Sequence, residues 1–327
     1  MLEIKKFSKR EPSAWDQFVL NHPHATLYHL IGWRKVIAQS YSYRDLYLVA
    51  KEGKKIVAIF PGFIVRGKVT SLPFCNYGGI LDNDLKARQS ILNWLKKNFR
   101  SVELREIQRS KKIKNQSPEF VTSILDLKPG KEKILADLSK KIRRRIRRAE
   151  KSQFEIRLGK KNLSDFYVLY QKNMRRLGTP GHSLKFFEKI FEIFPGKSEI
   201  IGVYKKDQML AGAFLFFFKK NLVDLWAASD KRFSPQFANL YLYWKMICFG
   251  CEKKFESLDF GRSTLNSGVH DFKKRWGAKT IPLNYLTFDQ VKSASWRGNK
   301  KFFSFFWSKL PLFIANKIGP KIRRFIP

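Results

Sequence analysis

The segment that decides the fold is GVYKKDQMLAGAF, residues 202–214. Its apolar first half, its charged turn at Lys206-Asp207-Gln208 and its small-residue second half predict two antiparallel strands joined by a tight turn. A second copy of this layout, LVAKEGKKIVAIF, occupies residues 48–60, with its turn at Glu52-Gly53-Lys54. The sequence therefore indicates two similar halves in tandem.

Each copy follows two segments with helical periodicity, at 12–20 and 30–40 in the first half and at 163–176 and 184–194 in the second. The second half continues with predicted strands at 209–218 and 222–229, a helix at 235–254 capped by Ser234, and short strands at 257–260 and 282–288. This order resembles the acyltransferase fold of the GNAT type. We therefore expect the α+β class with two tandem GNAT-like domains at 1–130 and 153–292, a basic connecting helix at 131–152 and a basic aromatic tail at 293–327.

Composition restricts the partners of the chain. A length of 327 residues suits two domains better than one, and a hydrophobic content of 44% with 30 Phe excludes a disordered protein. The 65 Lys and Arg residues outnumber the 27 Asp and Glu residues, which gives a formal charge of +38. Such a charge favours phosphate-bearing partners, and nucleic acid, anionic lipid and a phosphorylated substrate all remain open.

Cysteine usage and hydropathy predict the compartment. The three cysteines, Cys75, Cys248 and Cys251, are too few for a disulfide framework, so a reducing environment is expected. The first residues, MLEIKK, have no apolar run behind their charges, and no uncharged stretch approaches the roughly 18 residues of a membrane span. We expect a cytoplasmic protein, with peripheral attachment to the inner face of the membrane left open.

A basic helix is predicted between the two halves. Ile134, Leu138, Ile142 and Ile146 recur every four residues, and residues 140–151 carry eight Lys or Arg and one acid. One interpretation is a solvated linker helix; the other is a docking strip for phosphates, which would neutralise like charges stacked four residues apart.

The C-terminal residues 300–327 combine bulky apolar side chains with scattered cations, among them Phe302, Phe303, Phe305, Phe306, Trp307, Lys309, Lys317, Lys321, Arg323 and Arg324. This composition is typical of an interfacial membrane anchor. The alternative is that the aromatic side chains fold back onto a domain core while the cations stay in water.

Several chemistries are disfavoured. Cys248-Phe-Gly-Cys251 lies inside a predicted helix without a second CxxC pair, so no metal site is expected. The chain has no GxxxxGK[ST], GxSxG or HExxH motif, which argues against P-loop kinase, lipase and metalloprotease functions.

Three motifs of the second half carry a family resemblance: NMRRLGTP at 173–180 followed by His182-Ser183, DFGRST at 259–264, and Phe272-Lys273 followed by Trp276-Gly277-Ala278. In the first half, HPHAT at 22–26, Trp33 and SLPFCNYGG at 71–79 agree. Over residues 10–290 the chain resembles the FemAB-related proteins, most of all the branch that accompanies exopolysaccharide and PEP-CTERM sorting systems.

The resemblance implies a transferase that moves an aminoacyl or acyl group onto an amine of a peptidoglycan or exopolysaccharide precursor. Such a reaction needs positioning and charge stabilisation of an oxyanion rather than covalent work by the protein. The lysine of the family's FKxxxG-type motif matches Lys273, which is expected to stabilise the oxyanion or a nearby phosphate.

Further site residues follow from the same comparison. We expect the substrate to contact Tyr77, Gly78, Gly79, Arg175, Arg176, His182, Ser183, Trp226, Asn239, Arg262 and Ser263, and phosphate to contact Lys231 and Arg232. For His182 alone, a packing or capping role is the competing interpretation.

The donor stays open between aminoacyl-tRNA and acyl-CoA. Acyl-CoA-dependent GNAT proteins hold the pyrophosphate with a glycine-rich loop before a helix, whereas the matching residues here, KRFSPQFA at 231–238, contain no glycine. The long helical arm of some tRNA-using relatives is also missing. Two alternatives therefore stand beside the FemAB-like reaction: a CoA-dependent N-acyltransferase acting on an amino sugar or lipid-linked sugar, and a non-catalytic module that binds RNA or a membrane.

Overall fold

A computed structural model of the chain describes residues 2–8, 12–107, 118–289 and 300–326. The chain divides into two compact units. Unit 1 comprises Met1–Glu119, Pro282–Ser295 and Arg324–Pro327, and unit 2 comprises Phe120–Ile281 and Trp296–Arg323.

Unit 1 is a mixed sheet with helices. Its elements in chain order are β1 (Leu2–Lys6), α1 (Pro12–Asn21), α2 (Gly32–Tyr41), β2 (Arg44–Glu52), β3 (Lys55–Val65), β4 (Lys68–Ser71), β5 (Leu81–Asp82), α3 (Leu85–Asn98) and β6 (Ser101–Ile107). The strand order is β1-β2-β3-β4-β6, and residues 283–289 of a late strand, β13 (Lys279–Asp289), complete it beside β6. Apolar side chains of β2, β3 and α3 form the core.

Unit 2 repeats this plan. Its elements are β7 (Phe120–Asp126), α4 (Gly130–Asp137), α5 (Lys140–Glu150), β8 (Glu155–Leu158), α6 (Leu163–Arg176), α7 (Leu184–Ile193), β9 (Ser198–Lys205), β10 (Gln208–Phe218), β11 (Asn221–Ser229), α8 (Ala238–Glu252), β12 (Ser257–Thr264), α9 (Gly268–Lys274), α10 (Lys300–Lys309) and α11 (Leu312–Arg323). The strand order is β8-β9-β10-β11-β12-β7. The core lies between the sheet and α8, which is apolar on nearly every side.

The two sheets have the same pattern of strand directions. In each sheet one neighbouring pair is parallel, β4 with β6 in unit 1 and β11 with β12 in unit 2, and the other neighbours along the order are antiparallel. Two α+β units with one topology confirm the predicted fold class.

The two hairpins at residues 48–60 and 202–214 match in detail. Glu52 pairs with Lys55 across the first turn, and Lys205 pairs with Gln208 across the second. Each ladder then shifts register by one residue at the same distance from its turn, at Val57 in unit 1 and at Leu210 in unit 2. A shared bulge of this kind raises local twist in the same place in both sheets.

The final strand of each sheet comes from the other half of the sequence. The predicted boundary at residue 130 put Phe120–Asp126 in the first domain, but these residues pair with β12 in unit 2. Residues 283–289, predicted for the second domain, pair with β6 in unit 1. The predicted boundary between residues 292 and 293 lies outside the described residues.

Two predicted helices differ from those observed. The basic helix at 131–152 is two helices, because Leu138 is extended and the Ser139 hydroxyl accepts a hydrogen bond from the Ile142 N–H to start α5. The helix predicted from Pro235 with a Ser234 cap begins instead at Ala238. Residues 231–236 form a 3₁₀ turn, and Phe237 adopts a left-handed conformation with φ of 61° between the two.

Candidate functional site

Lys273 lies at the end of α9, a short helix that begins where the Ser267 hydroxyl accepts a hydrogen bond from the His270 N–H. Its side chain turns inward, and the residue is only 3% exposed. The Nζ atom donates to the carbonyl oxygens of Gly261 at 2.8 Å and Arg262 at 3.2 Å. These two bonds use two of the three N–H groups of the ammonium.

The position of Lys273 follows from the sheet. Strands β11 and β12 pair in parallel over Asn221–Val223 and Ser257–Asp259. Gly261 and Arg262 lie further along β12, where the register with β7 also shifts and Gly261 takes a φ of 73°. Lys273 therefore supplies hydrogen bonds to carbonyls next to an irregular stretch of the ladder.

A buried carboxyl, Asp224, follows directly after the part of β11 that pairs with β12. Its Oδ2 accepts a hydrogen bond from the Tyr243 hydroxyl at 3.4 Å, and its Oδ1 has no hydrogen-bond partner among the described residues. Burial raises the pKa of Asp224 to about 7, against the opposing effect of the Lys273 charge. Burial also lowers the pKa of Lys273 to about 8, against the opposing charges of Asp224 and Asp259.

The neighbouring Asp259 is held by the Thr122 hydroxyl at 2.5 Å and the Gly261 N–H at 2.8 Å. Asp224 was not among the site residues predicted from the sequence motifs. An acid inside the otherwise apolar strand NLVDLWAAS was the signal that could have found it.

A cationic cleft of about 420 Å³ lies at the end of α6 in the same unit. Its walls are the last turns of α6, the 3₁₀ turn before α8 and the start of α11. The lining residues are Leu169, Lys172, Asn173, Arg175, Arg176, Ser229, Asp230, Lys231, Arg232 and Leu312. The cleft thus brings together four residues that were predicted from separate motifs, Arg175 and Arg176 with Lys231 and Arg232.

The cations of the cleft are partly fixed by neighbours. Arg232 donates to both carboxylate oxygens of Asp230, and this hydrogen bonding lowers the pKa of that carboxyl. Arg176 donates to the Asn173 side-chain oxygen at 2.6 Å, and Arg175 Nε donates to the Leu310 carbonyl at 2.5 Å. Five cations against one acid leave a lining suited to an anion with several oxygens.

A second basic surface adjoins this turn. Helix α5 buries Ile142, Ile146 and Ala149, and its basic side chains lie on the other sides. Arg145 and Arg148 place their guanidinium carbons 5.5 and 5.3 Å from the ring centroid of Phe237, which separates the 3₁₀ turn from α8. The predicted docking strip therefore lies beside the segment that carries Lys231 and Arg232.

The remaining candidates of unit 2 have varied surroundings. His182 is buried between Tyr170 and Phe186, with ring centroids 6.4 and 4.3 Å away, and burial holds its pKa well below the ordinary value. This environment favours the packing interpretation over contact with substrate. The Ser183 hydroxyl caps α7 by accepting from the Phe186 N–H.

Trp226 is half-buried against His182, and Asn239 is half-buried in the first turn of α8. Arg262 is exposed, with its guanidinium 4.7 Å from the Phe120 ring centroid. Ser263 is buried, with no hydrogen-bond partner for its hydroxyl among the described residues.

Tyr77, Gly78 and Gly79 belong to unit 1. Tyr77 is buried edge-on against Tyr28, and the Gly78 N–H donates to the Arg105 carbonyl at 2.7 Å. Gly79 has a φ of 91°, and a Cβ at this position would lie 2.5 Å from the Glu106 side chain, so only glycine fits.

No metal centre is assembled by the described residues, since no group of three or more His, Cys, Asp or Glu side chains could hold an ion there. Cys248 and Cys251 lie on α8, where burial raises the pKa of both thiols. Within the same described ranges, no helix is long and apolar enough to cross a membrane.

Comparison with known proteins agrees with this topology. The sequence profile of the acetyltransferase (GNAT) domain matches residues 136–274, a range that contains the cleft turn, Asp224 and Lys273. No protein with a curated description matches the sequence.

Several solved structures are similar to the chain. FemX has a TM-score of 0.65 at 15% identity, over 86% of this chain and 95% of that one. The C-terminal domain of a putative lysylphosphatidylglycerol synthetase from Agrobacterium fabrum has a TM-score of 0.57 at 10% identity, over 90% and 95%. A tandem GNAT protein from the clavulanic acid biosynthesis pathway has a TM-score of 0.57 at 8% identity, over 90% and 100%. Residues 136–274 therefore match the GNAT domain, and the chain has the fold of FemX, a fold that agrees with the FemAB-related resemblance of its sequence.

Proposed function

We propose that the protein is a transferase that moves an aminoacyl or acyl group onto an amine of a phosphate-bearing cell-envelope precursor. The observation that carries this proposal is the cationic cleft of Arg175, Arg176, Lys231 and Arg232 within a unit of GNAT fold. Support for the substrate class comes from the fold shared with FemX and with a putative lysylphosphatidylglycerol synthetase.

In this reaction the amine nitrogen attacks the carbonyl carbon of an activated ester or thioester. An amide C–N bond forms, the C–O or C–S bond breaks, the amine loses a proton, and the leaving oxygen or sulfur gains one. Electrostatic help is needed at two places, the phosphate of a bound substrate and the proton on the amine.

The cleft supplies the first. Guanidinium groups bind phosphate oxygens through paired N–H donors, and the cleft presents Arg175 and Arg176 from α6 and Arg232 from the 3₁₀ turn, with Lys231 beside Arg232 as a point charge. We assign the second to Asp224, a buried carboxyl of the same unit outside the cleft lining, whose Oδ1 has no hydrogen-bond partner among the described residues and whose pKa burial raises to about 7.

Lys273 was expected to contact the oxyanion or a phosphate directly. Its contacts support a different role in the proposal, because two of its N–H groups are committed to the carbonyls of Gly261 and Arg262. We place it as a positioning residue that holds β12 at Gly261 and Arg262.

The test is transfer of a labelled group from aminoacyl-tRNA and from acyl-CoA, each offered with an amine-bearing envelope precursor. The Lys231→Ala/Arg232→Ala variant should raise KM for the phosphate-bearing substrate about tenfold or more, since each charged hydrogen bond is worth roughly 1.5–3 kcal/mol. Lys253→Ala/Arg275→Ala, two exposed cations of unit 2 outside the cleft, is the matched control and should leave KM unchanged. Equal KM values for the two double variants would contradict the proposal.

A CoA-dependent N-acyltransferase is the second candidate. One observation favours it: Lys231 and Arg232 line the cleft from the turn directly before α8, the place where acyl-CoA-dependent GNAT proteins hold pyrophosphate. Saturable CoA binding that Lys231→Ala/Arg232→Ala abolishes, together with transfer from acyl-CoA alone, would select this candidate. Salt-sensitive binding of RNA or lipid with no turnover of either donor would instead leave a non-catalytic module.

A further inference from the structure

The C-terminal helices α10 and α11 have two unlike faces. The inner face docks on α6: Trp307 and Ala315 are buried, and a Cβ on Gly319 would lie 3.4 Å from the Trp307 ring. Hydrogen bonds from Arg175 to the Leu310 carbonyl and from Ser304 to the Leu177 carbonyl fasten the same face. One alternative left by the sequence, folding back onto a domain, therefore holds for the inner face.

The outer face stays in contact with solvent. Phe302 and Phe313 are 68% and 74% exposed, and Phe305 and Phe306 are each more than half exposed. We call these four residues the phenylalanine face. Phe302 packs on Phe306 with ring centroids 4.4 Å apart, and Phe305 lies 5.7 Å from Phe306, so these three rings of α10 form a contiguous apolar surface. Monomeric proteins rarely leave several large aromatic side chains grouped in water.

Cations border this face without any opposing acid. The sequence has no Asp or Glu from residue 290 to its last residue. Lys309, Lys317 and Lys321 are exposed on the same two helices, and Lys309 Nζ lies 5.7 Å from the Phe305 ring centroid. Protein–protein interfaces are depleted in lysine at their apolar cores, whereas apolar rings bordered by lysines suit an anionic lipid surface.

We propose that the phenylalanine face inserts into the interfacial region of an anionic phospholipid bilayer while Lys309, Lys317 and Lys321 contact lipid phosphates. The geometry suits a helix lying in the membrane plane, since Phe302, Phe305, Phe306 and Lys309 recur at spacings of three and four residues along α10. At ten residues, α10 is about 15 Å long.

The face also adjoins the cationic cleft. Leu312 lines the cleft, and the next residue, Phe313, belongs to the phenylalanine face. Arg175 lines the cleft too, and it holds the Leu310 carbonyl between the two helices. A phosphate at the membrane surface would thus lie near the arginines of the cleft. This link to the cleft rests on the proposed function, whereas the proposed lipid binding does not.

The experiment is cosedimentation of the full-length protein with vesicles of phosphatidylcholine alone and of phosphatidylcholine mixed with phosphatidylglycerol. The wild-type protein should bind the mixed vesicles, and Phe302→Ser/Phe305→Ser/Phe306→Ser should bind at least about tenfold more weakly. The matched control is Leu85→Ser/Val269→Ser, which removes two apolar side chains that are 80% and 58% exposed elsewhere. This control should bind like the wild type.

Charge is tested separately. Lys309→Ala/Lys317→Ala/Lys321→Ala should lose most binding at low salt, whereas Lys54→Ala/Lys86→Ala/Lys97→Ala, three exposed cations of unit 1, should lose little. Circular dichroism checks that each variant is folded. The proposal would be overturned if the phenylalanine variant bound vesicles as well as the wild type, or if both lysine variants lost binding equally. It would also be overturned if the phenylalanine face bound a protein or RNA and the protein had no affinity for vesicles. Because donor transfer is measured apart from vesicle binding, failure of either proposal can be told from failure of the other.

Discussion

Replacing Lys273 by methionine separates a positioning role from a catalytic one. Methionine keeps the length and apolar stem of the side chain but removes its charged donor. The carbonyls of Gly261 and Arg262 would then lose their hydrogen bonds from Nζ, a loss worth about 4 kcal/mol in total when buried acceptors stay unsatisfied.

The loss is partly offset near neutral pH. Burial lowers the pKa of Lys273 from its ordinary 10.5 to about 8. At about 1.4 kcal/mol for each tenfold change in proton affinity, burying the ammonium costs the folded state about 3 kcal/mol, and methionine relieves that cost. The net destabilisation expected at about pH 7 is therefore only about 1 kcal/mol.

At alkaline pH, Lys273 contributes more to the stability of the wild-type protein than it does at neutral pH. Between about pH 8 and 10.5 the unfolded chain keeps the Lys273 proton while the folded protein releases it, so the contribution of this residue to wild-type stability rises with pH. Methionine cannot follow this rise. We expect the difference in unfolding free energy between wild type and Lys273→Met to grow from about 1 to about 4 kcal/mol across this range.

Urea unfolding of both proteins at a series of pH values measures this difference. Lys274→Met, at an exposed neighbouring lysine, is the matched control and should show only a small difference from the wild type. A gap between wild type and Lys273→Met that stays constant with pH would refute the desolvated-cation reasoning. Abolished transfer with unchanged stability would refute the positioning role and restore direct contact with the oxyanion.

Three further outcomes are expected. Gly178→Ala should release α10 from α6 and expose the tail to limited proteolysis, because a Cβ at residue 178 would lie 1.9 Å from Ser304 Oγ. The control is Gly196→Ala, at a glycine with a similar positive φ and open space around it. This control should cost only about 1 kcal/mol of backbone strain and leave the tail protected from the protease. His182→Phe should make stability less sensitive to acid, because the lowered pKa of the wild-type histidine means that its stability contribution is lost as the pH falls below about 6.5, as pH-dependent thermal melting would show. A fragment of residues 1–130 should lack a stable unit 1 by circular dichroism until a peptide of residues 279–289 supplies the strand beside β6, whereas folding without that peptide would contradict the exchange of strands.

Local features of the fold were predictable from the sequence. The hairpins at 48–60 and 202–214 depend on neighbouring residues, and the turn at Gly53 suits a left-handed conformation. The exchange of final strands was not predictable in this way, since pairing between β7 and β12 joins residues more than 130 positions apart. The break before α5 had a signal in Ser139, an ordinary helix cap, whereas nothing in the sequence marks Phe237 for its left-handed backbone.

The candidate site, like the fold, was only partly predictable from the sequence. Arg175, Arg176, Lys231 and Arg232 were selected from the family resemblance, and they line one cleft. The burial of Lys273 and the raised pKa of Asp224 depend on β11 and β12 together, so the motif around Lys273 selected this residue without predicting its contacts. The sequence could not decide between a membrane anchor and a packed tail, because some aromatic residues of the tail lie on its inner face and others on its outer face.

The two faces of the tail link anchoring to the cleft in one structure. Docking on α6 fixes Leu312 as a wall of the cleft, and the same docking forces Phe302, Phe305 and Phe306 outward, because the inner positions are already filled by Trp307 and Ala315. A tail that served stability alone could have carried polar residues on its outer face at no cost to packing. Instead the outer face carries phenylalanine rings and lysines and no acidic residue, a composition that packing within the folded unit does not explain. An anionic bilayer supplies an explanation, and it would hold the cleft at the surface where phosphate-bearing lipids are found.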